Sequence, residues 1–497
     1  MTPAHVPVLL AIWLSVASSA FAQVPLLVPA GPPPGAPAAD GRQHVTIQSS
    51  ILGETRRVFV SVPPGFEKSG PGRRYPLMLV TDGEGHSATA VVNAARELAR
   101  HGLMPDMVIA GVENADGYEA RVRDLTPPGL SVSGSSRSEG GDRFLDFLER
   151  ELMPMLDARY RTAAPRVLTG HSSGGILATY AAATRNTYRL IVALDTPTHL
   201  DENWLVKKLV ARARAGGAPV RYASYNAVFG WSDAAWADLT AAAPSSWILR
   251  HDKFANETHN SMPMLGAYLG LRELFSDYSR KAAPVYPTTS ILPYYETLTD
   301  AYGGPLVPPH ALMRDVVDDL LLEGRGALAA TAFEALVAAY GEPATAAATR
   351  ARIADVSARP APSETVESLL ATPLATADEI APYIGEWEGE SRMGEHHRTR
   401  FVLTIGVKDG RATGQVVFKF APGEELVQPL QHVTVQPDGF TYGYMNGMRP
   451  RGMLMYPMKR TDADMLEGTM RWGGVEPPTH NGQSPPPEGI TLTRVRK

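Results

Sequence analysis

The residues from Gly170 to Gly175 carry the clearest chemical signal in the sequence, reading Gly-His-Ser-Ser-Gly-Gly. An apolar run from Val167 to Thr169 precedes them, and a helix-forming run from Ile176 to Ala181 follows. A strand, Gly-x-Ser-x-Gly and a helix in that order are typical of a nucleophile elbow, a sharp turn that lifts a serine hydroxyl out of the backbone. The start of the helix supplies N–H groups and positive dipole where an oxyanion would form. The pattern predicts that Ser172 is a nucleophile.

A serine nucleophile needs a histidine base within hydrogen-bond reach, and in the elbow fold that histidine follows the serine along the chain. Four histidines follow Ser172 at suitable positions: His199, His251, His259 and His310. His259 lies in a polar loop just before a helix-forming segment, where a base is expected. His251 follows a strand-like segment and is compatible with a surface position. We therefore predict His259 as the base.

The third catalytic group is an acid that holds the imidazole, and the sequence leaves its identity open. Asp233 follows a strand that ends near Phe229, so we favour it. Glu257 is the next candidate because it lies two residues before the predicted base, and Asp195 also ends a strand. A Ser–His pair without a strong acid is a further alternative.

Two backbone N–H groups should stabilise the oxyanion. One is expected from Ser173, the residue after the nucleophile. The other should come from the glycine-rich loop after the strand Tyr75–Val80, and Gly83 or Glu84 is the candidate donor. Glycine in that loop lets the backbone approach a substrate closely.

Two arginines, Arg121 and Arg123, follow another strand and allow two interpretations. They either form ion pairs within a loop, or one of them lines the cleft and attracts an anionic substrate. We take Arg123, together with His171 beside the nucleophile, as candidate substrate-binding residues.

Composition excludes several classes of function. The chain has 497 residues, 44% of them hydrophobic, a net charge of −5 and no cysteine. Disulfides, thiolate metal sites, a cysteine nucleophile and a lipoprotein anchor are therefore excluded. A negative net charge argues against nucleic acid as a partner. We expect a small-molecule partner, no metal and no cofactor.

The amino terminus predicts export. Val8 to Ala20 is mostly apolar, and Ala20-Phe21-Ala22 is typical of a cleavage site after Ala22. An uncleaved anchor is the alternative, but the apolar stretch is short for a membrane span. We expect a bacterial periplasmic or secreted protein with no stable membrane insertion after cleavage.

The remaining chain divides by its hydrophobic patterns into the following segments: a signal peptide (1–22), a Pro/Gly-rich linker (23–42), an α/β domain (43–285), a helical, repeat-like segment (286–357), a second linker (358–377) and an antiparallel β-barrel domain (378–497). Within the helical segment, residues 310–357 are rich in Ala and Leu at helical spacing, and two or three packed helices are expected there. In the last part, alternating apolar residues and recurrent turn signals predict six to eight strands. Apolar strands alternating with amphipathic helices predict a mostly parallel sheet with helices on both faces. Catalytic groups then belong at the carboxyl ends of the strands.

Several ordered motifs resemble the esterase family of α/β-hydrolases that includes the enterobactin-type siderophore esterases and the esterase-D-like enzymes. The stretches that carry the resemblance are Arg74 to Gly83, Arg123 to Pro127, Phe144 to Tyr160, Gly170 to Gly175 and Leu271 to Phe275, within about residues 43–280. The resemblance implies an α/β-hydrolase fold and the hydrolysis of a small-molecule ester substrate, with siderophore and sugar esters as the candidate substrates.

The same resemblance implies Ser172 as nucleophile, His259 as base and an oxyanion hole near Gly83, Glu84 and Ser173. The sequence departs from the family at Asn260, where relatives usually have glycine, and it shows no clean counterpart of the acid. The start of the last domain, Gly385 to Trp387, resembles lipocalin-like barrels.

Two other functions stay open at this level. In the first, the α/β domain would be catalytically silent and the β-barrel would bind a ligand. In the second, the same Ser–His site would transfer the acyl group to an alcohol instead of water.

Overall fold

The structure is a computed structural model that describes residues 42–115, 117–131, 140–279, 288–393, 397–420, 423–445, 452–475 and 489–495. The predicted signal peptide and nearly all of the first linker lie outside these residues.

The amino-terminal half is built on one sheet whose strand order is β1-β2-β4-β3-β5-β6-β7-β8. The strands are β1 (Gln43–Ser49), β2 (Glu54–Ser61), β3 (Tyr75–Val80), β4 (Val108–Val112), β5 (Thr162–His171), β6 (Leu190–Leu194), β7 (Arg221–Asn226) and β8 (Ile248–Lys253). β1 and β2 form the predicted hairpin and are antiparallel to their neighbours, whereas β3 to β8 run parallel. Every residue of β3, β4 and β6 is buried, as expected for strands covered on both faces.

Helices cover both faces of this sheet. They are α1 (His86–Arg100), α2 (Tyr118–Leu125), α3 (Gly141–Phe147), α4 (Met153–Tyr160), α5 (Ser173–Thr184), α6 (Leu200–Arg214), α7 (Asp233–Ala242) and α8 (Met262–Leu274). A π-helical turn, Leu148–Leu152, joins α3 to α4. Neighbouring residues of β5 show the two faces, since Val167 packs with α1 and α8 while Leu168 packs with α5 and α6. The expected α/β-hydrolase sheet is confirmed. The sequence patterns did not predict helices α2, α6 and α7, because the segments that lead into them carry polar residues that are also typical of turns.

The helical segment extends the same core. Its helices are α9 (Ile291–Tyr302), α10 (His310–Leu322), α11 (Gly326–Tyr340) and α12 (Ala346–Ser357). Their apolar residues join the cluster under α1 and α8. These helices also contact residues at the amino-terminal ends of the strands. Arg73, before β3, donates to the Ala339 carbonyl (2.8 Å), and Arg221, at the start of β7, donates to the Tyr302 hydroxyl (3.1 Å). The segment therefore supports the sheet edge opposite the carboxyl ends of its parallel strands.

An antiparallel sheet domain ends the chain. Two short helices precede it, α13 (Val366–Ala371) and α14 (Ala377–Ile380). Its strands are β9 (Gly385–Met393), β10 (His397–Lys408), β11 (Arg411–Lys419), β12 (Glu425–Pro429), β13 (His432–Gln436), β14 (Gly439–Met445), β15 (Met453–Asp462), β16 (Met465–Thr469), β17 (Arg471–Gly473) and β18 (Gly489–Arg494). The described residues thus contain 10 paired strands, more than the sequence suggested. Trp387 is fully buried in the core of this domain.

Helix α13 fastens the last domain to the helical segment. Glu367 accepts hydrogen bonds from Arg325 (2.6 Å) and Thr289 (2.5 Å), both in the helical segment. On its other side, the Leu369 carbonyl lies 3.1 Å from Nδ1 of His432 in β13. The predicted second linker therefore contains an ordered connector.

Within the described parts of the chain, none of the helices has the length and apolar character needed to cross a bilayer.

The shared core generates a stability prediction at Phe275, which is fully buried at the end of α8 and stacks on Tyr302 of α9 with ring centroids 5.4 Å apart. Phe275→Ala should lower the free energy of unfolding by about 3–5 kcal/mol because it leaves a cavity between these layers. Leu328→Ala, at a side chain 45% exposed on α11, should change it by less than about 0.5 kcal/mol. Urea denaturation measures both values. If Phe275→Ala lowered the free energy of unfolding as little as Leu328→Ala, the helical segment would not share the core.

Candidate active site

Ser172 occupies a strained turn between β5 and α5. Its backbone angles, φ 57° and ψ −120°, are unfavourable for a residue with a side chain. The turn closes because neighbouring residues have no Cβ. A Cβ on Gly170 would lie 2.1 Å from the Gly174 carbonyl oxygen, and one on Gly174 would lie 2.0 Å from Oγ1 of Thr81. The sequence motif therefore folds as the predicted elbow, with Ser172 half-buried at the carboxyl end of β5.

His259 and Asp195 form a close pair. Nδ1 of His259 lies 2.6 Å from Oδ2 of Asp195, a fully buried residue just after β6. The other oxygen, Oδ1, accepts hydrogen bonds from the backbone N–H groups of Ala227, Val228 and Phe229 at 2.8, 3.0 and 2.9 Å. Burial alone would raise the pKa of Asp195, but these hydrogen bonds and the contact with His259 outweigh it and hold the pKa below its ordinary value. The carboxylate is therefore charged beside the imidazole.

The other two candidate acids lie elsewhere. Asp233 is the first residue of α7 and is exposed, and the carboxylate of Glu257 accepts a hydrogen bond from Oγ of Ser261 (2.6 Å). The expectation that Asp233 holds His259 is therefore corrected, since the structure gives that contact to Asp195. The physical reason is that the loop after β7 contributes backbone N–H groups to the site instead of a carboxylate.

The elbow and the His259–Asp195 pair meet through their chain neighbours. The Ser172 N–H donates to the carbonyl of Leu194, the residue before Asp195 (2.9 Å). His171, the residue before the nucleophile, has Nε2 2.8 Å from the His259 carbonyl oxygen, and the two imidazole rings lie 4.3 Å apart. The three candidate catalytic groups thus come from three neighbouring places: Ser172 follows β5, Asp195 follows β6, and His259 lies in the loop after β8.

His171 is a packing residue between the elbow and the base loop. It is only 7% exposed. Burial, followed by the neighbouring His259, lowers the pKa of His171 to about 4. The ring is neutral at pH 7, and its Nε2 must donate because a carbonyl oxygen only accepts. The expectation that it binds substrate therefore gives way to a contact that fixes the His259 loop.

The predicted oxyanion donors divide into one that is engaged and two that suit the role. The Gly83 N–H donates to the Val112 carbonyl (2.8 Å), so it is committed to the backbone. Glu84, next in the same loop, remains the candidate donor on that side. Ser173 is the first residue of α5, whose first-turn N–H groups have no partner within the helix.

The two arginines of α2 have different surroundings. Nε of Arg123 donates to Asp124 and its Nη2 to Glu54, both at 2.7 Å. This is the ion-paired interpretation, and it directs Arg123 toward β2 and away from the elbow. Arg121 instead pairs with Asp82, and its Nη1 lies 3.4 Å from Oγ of Ser173. The two arginines have different partners because they lie at different positions on α2, and the sequence patterns did not predict this helix.

The lowered pKa of His171 generates a prediction about acid stability. Between pH 6.5 and about 4 the unfolded chain binds a proton at this residue and the folded chain does not, so stability should fall as the pH falls through this window. The loss is about 1.4 kcal/mol for each pH unit. His171→Gln keeps an N–H donor for the His259 carbonyl and should flatten this slope in urea unfolding measured from pH 7 to 4. An unchanged slope would contradict the assignment.

Comparisons with known proteins relate part of this chain to esterases. Residues 49–244 match the family model described as "Putative esterase". A siderophore triacetylfusarinine C esterase of Aspergillus fumigatus is 34% identical over 141 residues, which are 27% of this chain and 48% of that protein. The chain thus matches about half the length of that relative.

Two solved structures are similar at low identity. An IroE-like serine hydrolase from Shewanella oneidensis has 24% identity and a TM-score of 0.49, covering 59% of this chain and 98% of that one. The siderophore hydrolase EstA from Aspergillus nidulans has 17% identity and a TM-score of 0.41, covering 50% and 98%. Residues 49–244 are thus similar to the esterase family, and the sheet order and the elbow of the amino-terminal domain are of the α/β-hydrolase type.

Proposed function

We propose that this protein is a serine esterase that hydrolyses carboxylic esters through an acyl-enzyme on Ser172. The observation that carries the proposal is the buried Asp195–His259 pair, 2.6 Å apart, next to a strained serine turn. A buried charged carboxylate is costly unless it is paired, and here it orients a histidine beside a nucleophile elbow.

The mechanism follows from these positions. Oγ of Ser172 attacks the ester carbonyl while His259 accepts its proton, and Asp195 holds the imidazole in the tautomer with Nδ1–H and stabilises the imidazolium. The N–H groups of Ser173 and Glu84 stabilise the oxyanion. His259 then protonates the leaving alcohol, and water, activated by the same histidine, releases the acid. No step of this sequence calls for a metal ion or a cofactor.

Siderophore esters are the first substrates to examine. The support is the 34% identical stretch shared with the siderophore triacetylfusarinine C esterase of Aspergillus fumigatus. Sugar esters are the second class, because the same acyl-enzyme chemistry serves any activated carbonyl that fits the cleft. We further propose that the protein is exported and cleaved after Ala22, as its amino-terminal sequence suggests.

The function is tested with the mature chain from Gln23, its Ser172→Ala variant and a short-chain p-nitrophenyl ester, by following nitrophenolate release. Release by the wild type alone supports a serine esterase. Equal release by both proteins would contradict it, as would no release together with no labelling of Ser172 by a fluorophosphonate. Product analysis with added glycerol shows whether an alcohol replaces water as acyl acceptor.

The acid is tested by comparing isosteric amides. Asp195→Asn should lower kcat by about 10⁴-fold, because the amide favours the wrong imidazole tautomer. Asp233→Asn, which changes an exposed carboxylate at the start of α7, is the matched control and should leave kcat within about threefold. Both rates come from the same ester assay, and a larger loss in the control would reassign the acid.

A further inference from the structure

We propose that Arg121 is a positioning residue that holds the two halves of the oxyanion hole together. One half is the loop after β3, which contains Glu84, and the other is the start of α5, which contains Ser173. The inference rests on the proposed function, because an oxyanion hole has a role only if an acyl group is attacked at Ser172.

Arg121 first fixes the loop after β3. Its Nε donates to Oδ1 of Asp82 (2.5 Å) and its Nη2 donates to Oδ2 (2.9 Å), a two-pronged contact that fixes both position and orientation. Asp82 has φ 53°, in the left-handed region that residues with side chains adopt at a cost. Its carbonyl accepts the Gly85 N–H (2.8 Å), which closes the turn around Glu84. A strained turn of this kind persists only where its surroundings hold it.

The same guanidinium reaches the elbow. Nη1 of Arg121 lies 3.4 Å from Oγ of Ser173, whose own N–H is the other proposed donor. Helix α2 packs against α5, so this contact joins two elements that are already adjacent. The Arg121 side chain therefore contacts Asp82, which lies two residues before the proposed donor Glu84, and Ser173, whose N–H is the other proposed donor.

Asn114 adds a second tie from the end of β4. Its Nδ2 lies 2.7 Å from Asp82 Oδ1 and 2.7 Å from Glu84 Oε1, and its backbone N–H donates to Glu84 Oε2 (3.0 Å). The carboxylates of Asp82 and Glu84 are thus both held from outside their own loop. The network directs the Glu84 side chain toward Asn114.

Electrostatics favours a positioning role for Arg121 over capture of an anionic substrate. Burial alone would lower the pKa of Arg121, but the hydrogen bonds and charge of Asp82 outweigh it and raise the pKa. The guanidinium stays charged, and its charge is neutralised by a carboxylate that it contacts with two nitrogens. Little of that charge is available to a substrate.

The test uses Arg121→Gln and the isosteric Asp82→Asn, with Arg123→Gln as matched control. Arg123 lies two residues along the same helix and is also ion-paired, but to Glu54 and Asp124. The probe is an alkyl trifluoromethyl ketone. Oγ of Ser172 adds to its carbonyl carbon, the proton passes to His259, and the carbonyl oxygen becomes an oxyanion in the hole.

Arg121→Gln and Asp82→Asn should each raise the Ki of the ketone and lower kcat/KM for the ester by the same factor, about 10- to 100-fold. This is less than the loss expected when an oxyanion donor is removed outright. KM should stay within about threefold, because the ground-state ester makes little use of the hole. Arg123→Gln should leave Ki and kcat/KM within about threefold of wild type, whatever it does to thermal stability.

Three results would overturn the proposal. They are an unchanged Ki in Arg121→Gln, a loss confined to KM, and an equal loss in Arg123→Gln that follows the melting temperature. Turnover by wild type and its absence in Ser172→Ala separate these results from a failure of the proposed function, in which the wild type itself would neither hydrolyse the ester nor bind the ketone.

Discussion

The buried carboxylate of Asp195 is the interaction on which the site depends. A charge with no solvent exposure needs several partners, and it has four: three backbone N–H groups from the loop after β7 and the imidazole of His259. These partners come from the ends of different strands. The contacts of the carboxylate therefore form only when β6, β7 and β8 are paired as they are in the sheet. Its position also places Leu194, whose carbonyl accepts the Ser172 N–H.

Close backbone packing brings the nucleophile to this carboxylate. The elbow closes only because Gly170 and Gly174 lack side chains, and a Cβ on Gly175 would lie 2.0 Å from Oγ1 of Thr196, next to Asp195. The helical segment supports the opposite ends of the strands, through Arg73 and Arg221. The catalytic edge and the supported edge of the sheet are therefore separate, and binding loops can vary at one without weakening the other.

The sequence predicted the features that depend on local steric rules and missed those that depend on convergence. The elbow followed from glycine spacing, and His259 followed from its place in a polar loop before a helix. Asp195 was only one of three candidates, because what selects it is the set of backbone N–H groups at 227–229, and backbone groups leave no mark in a sequence. Arg123 was taken as the cleft arginine in place of Arg121 because the different surroundings of the two side chains also leave no mark in the sequence. They lie on one short helix, and its packing directs one toward the elbow and the other toward β2.

Covalent labelling decides whether the His259–Asp195 pair activates Ser172. The protein is incubated with a fluorophosphonate, digested, and the modified peptide is located by mass spectrometry. We expect one phosphonyl group per chain on Ser172, because only an activated serine reacts at an appreciable rate. Labelling of a different residue, or no labelling of a correctly folded protein, would contradict it.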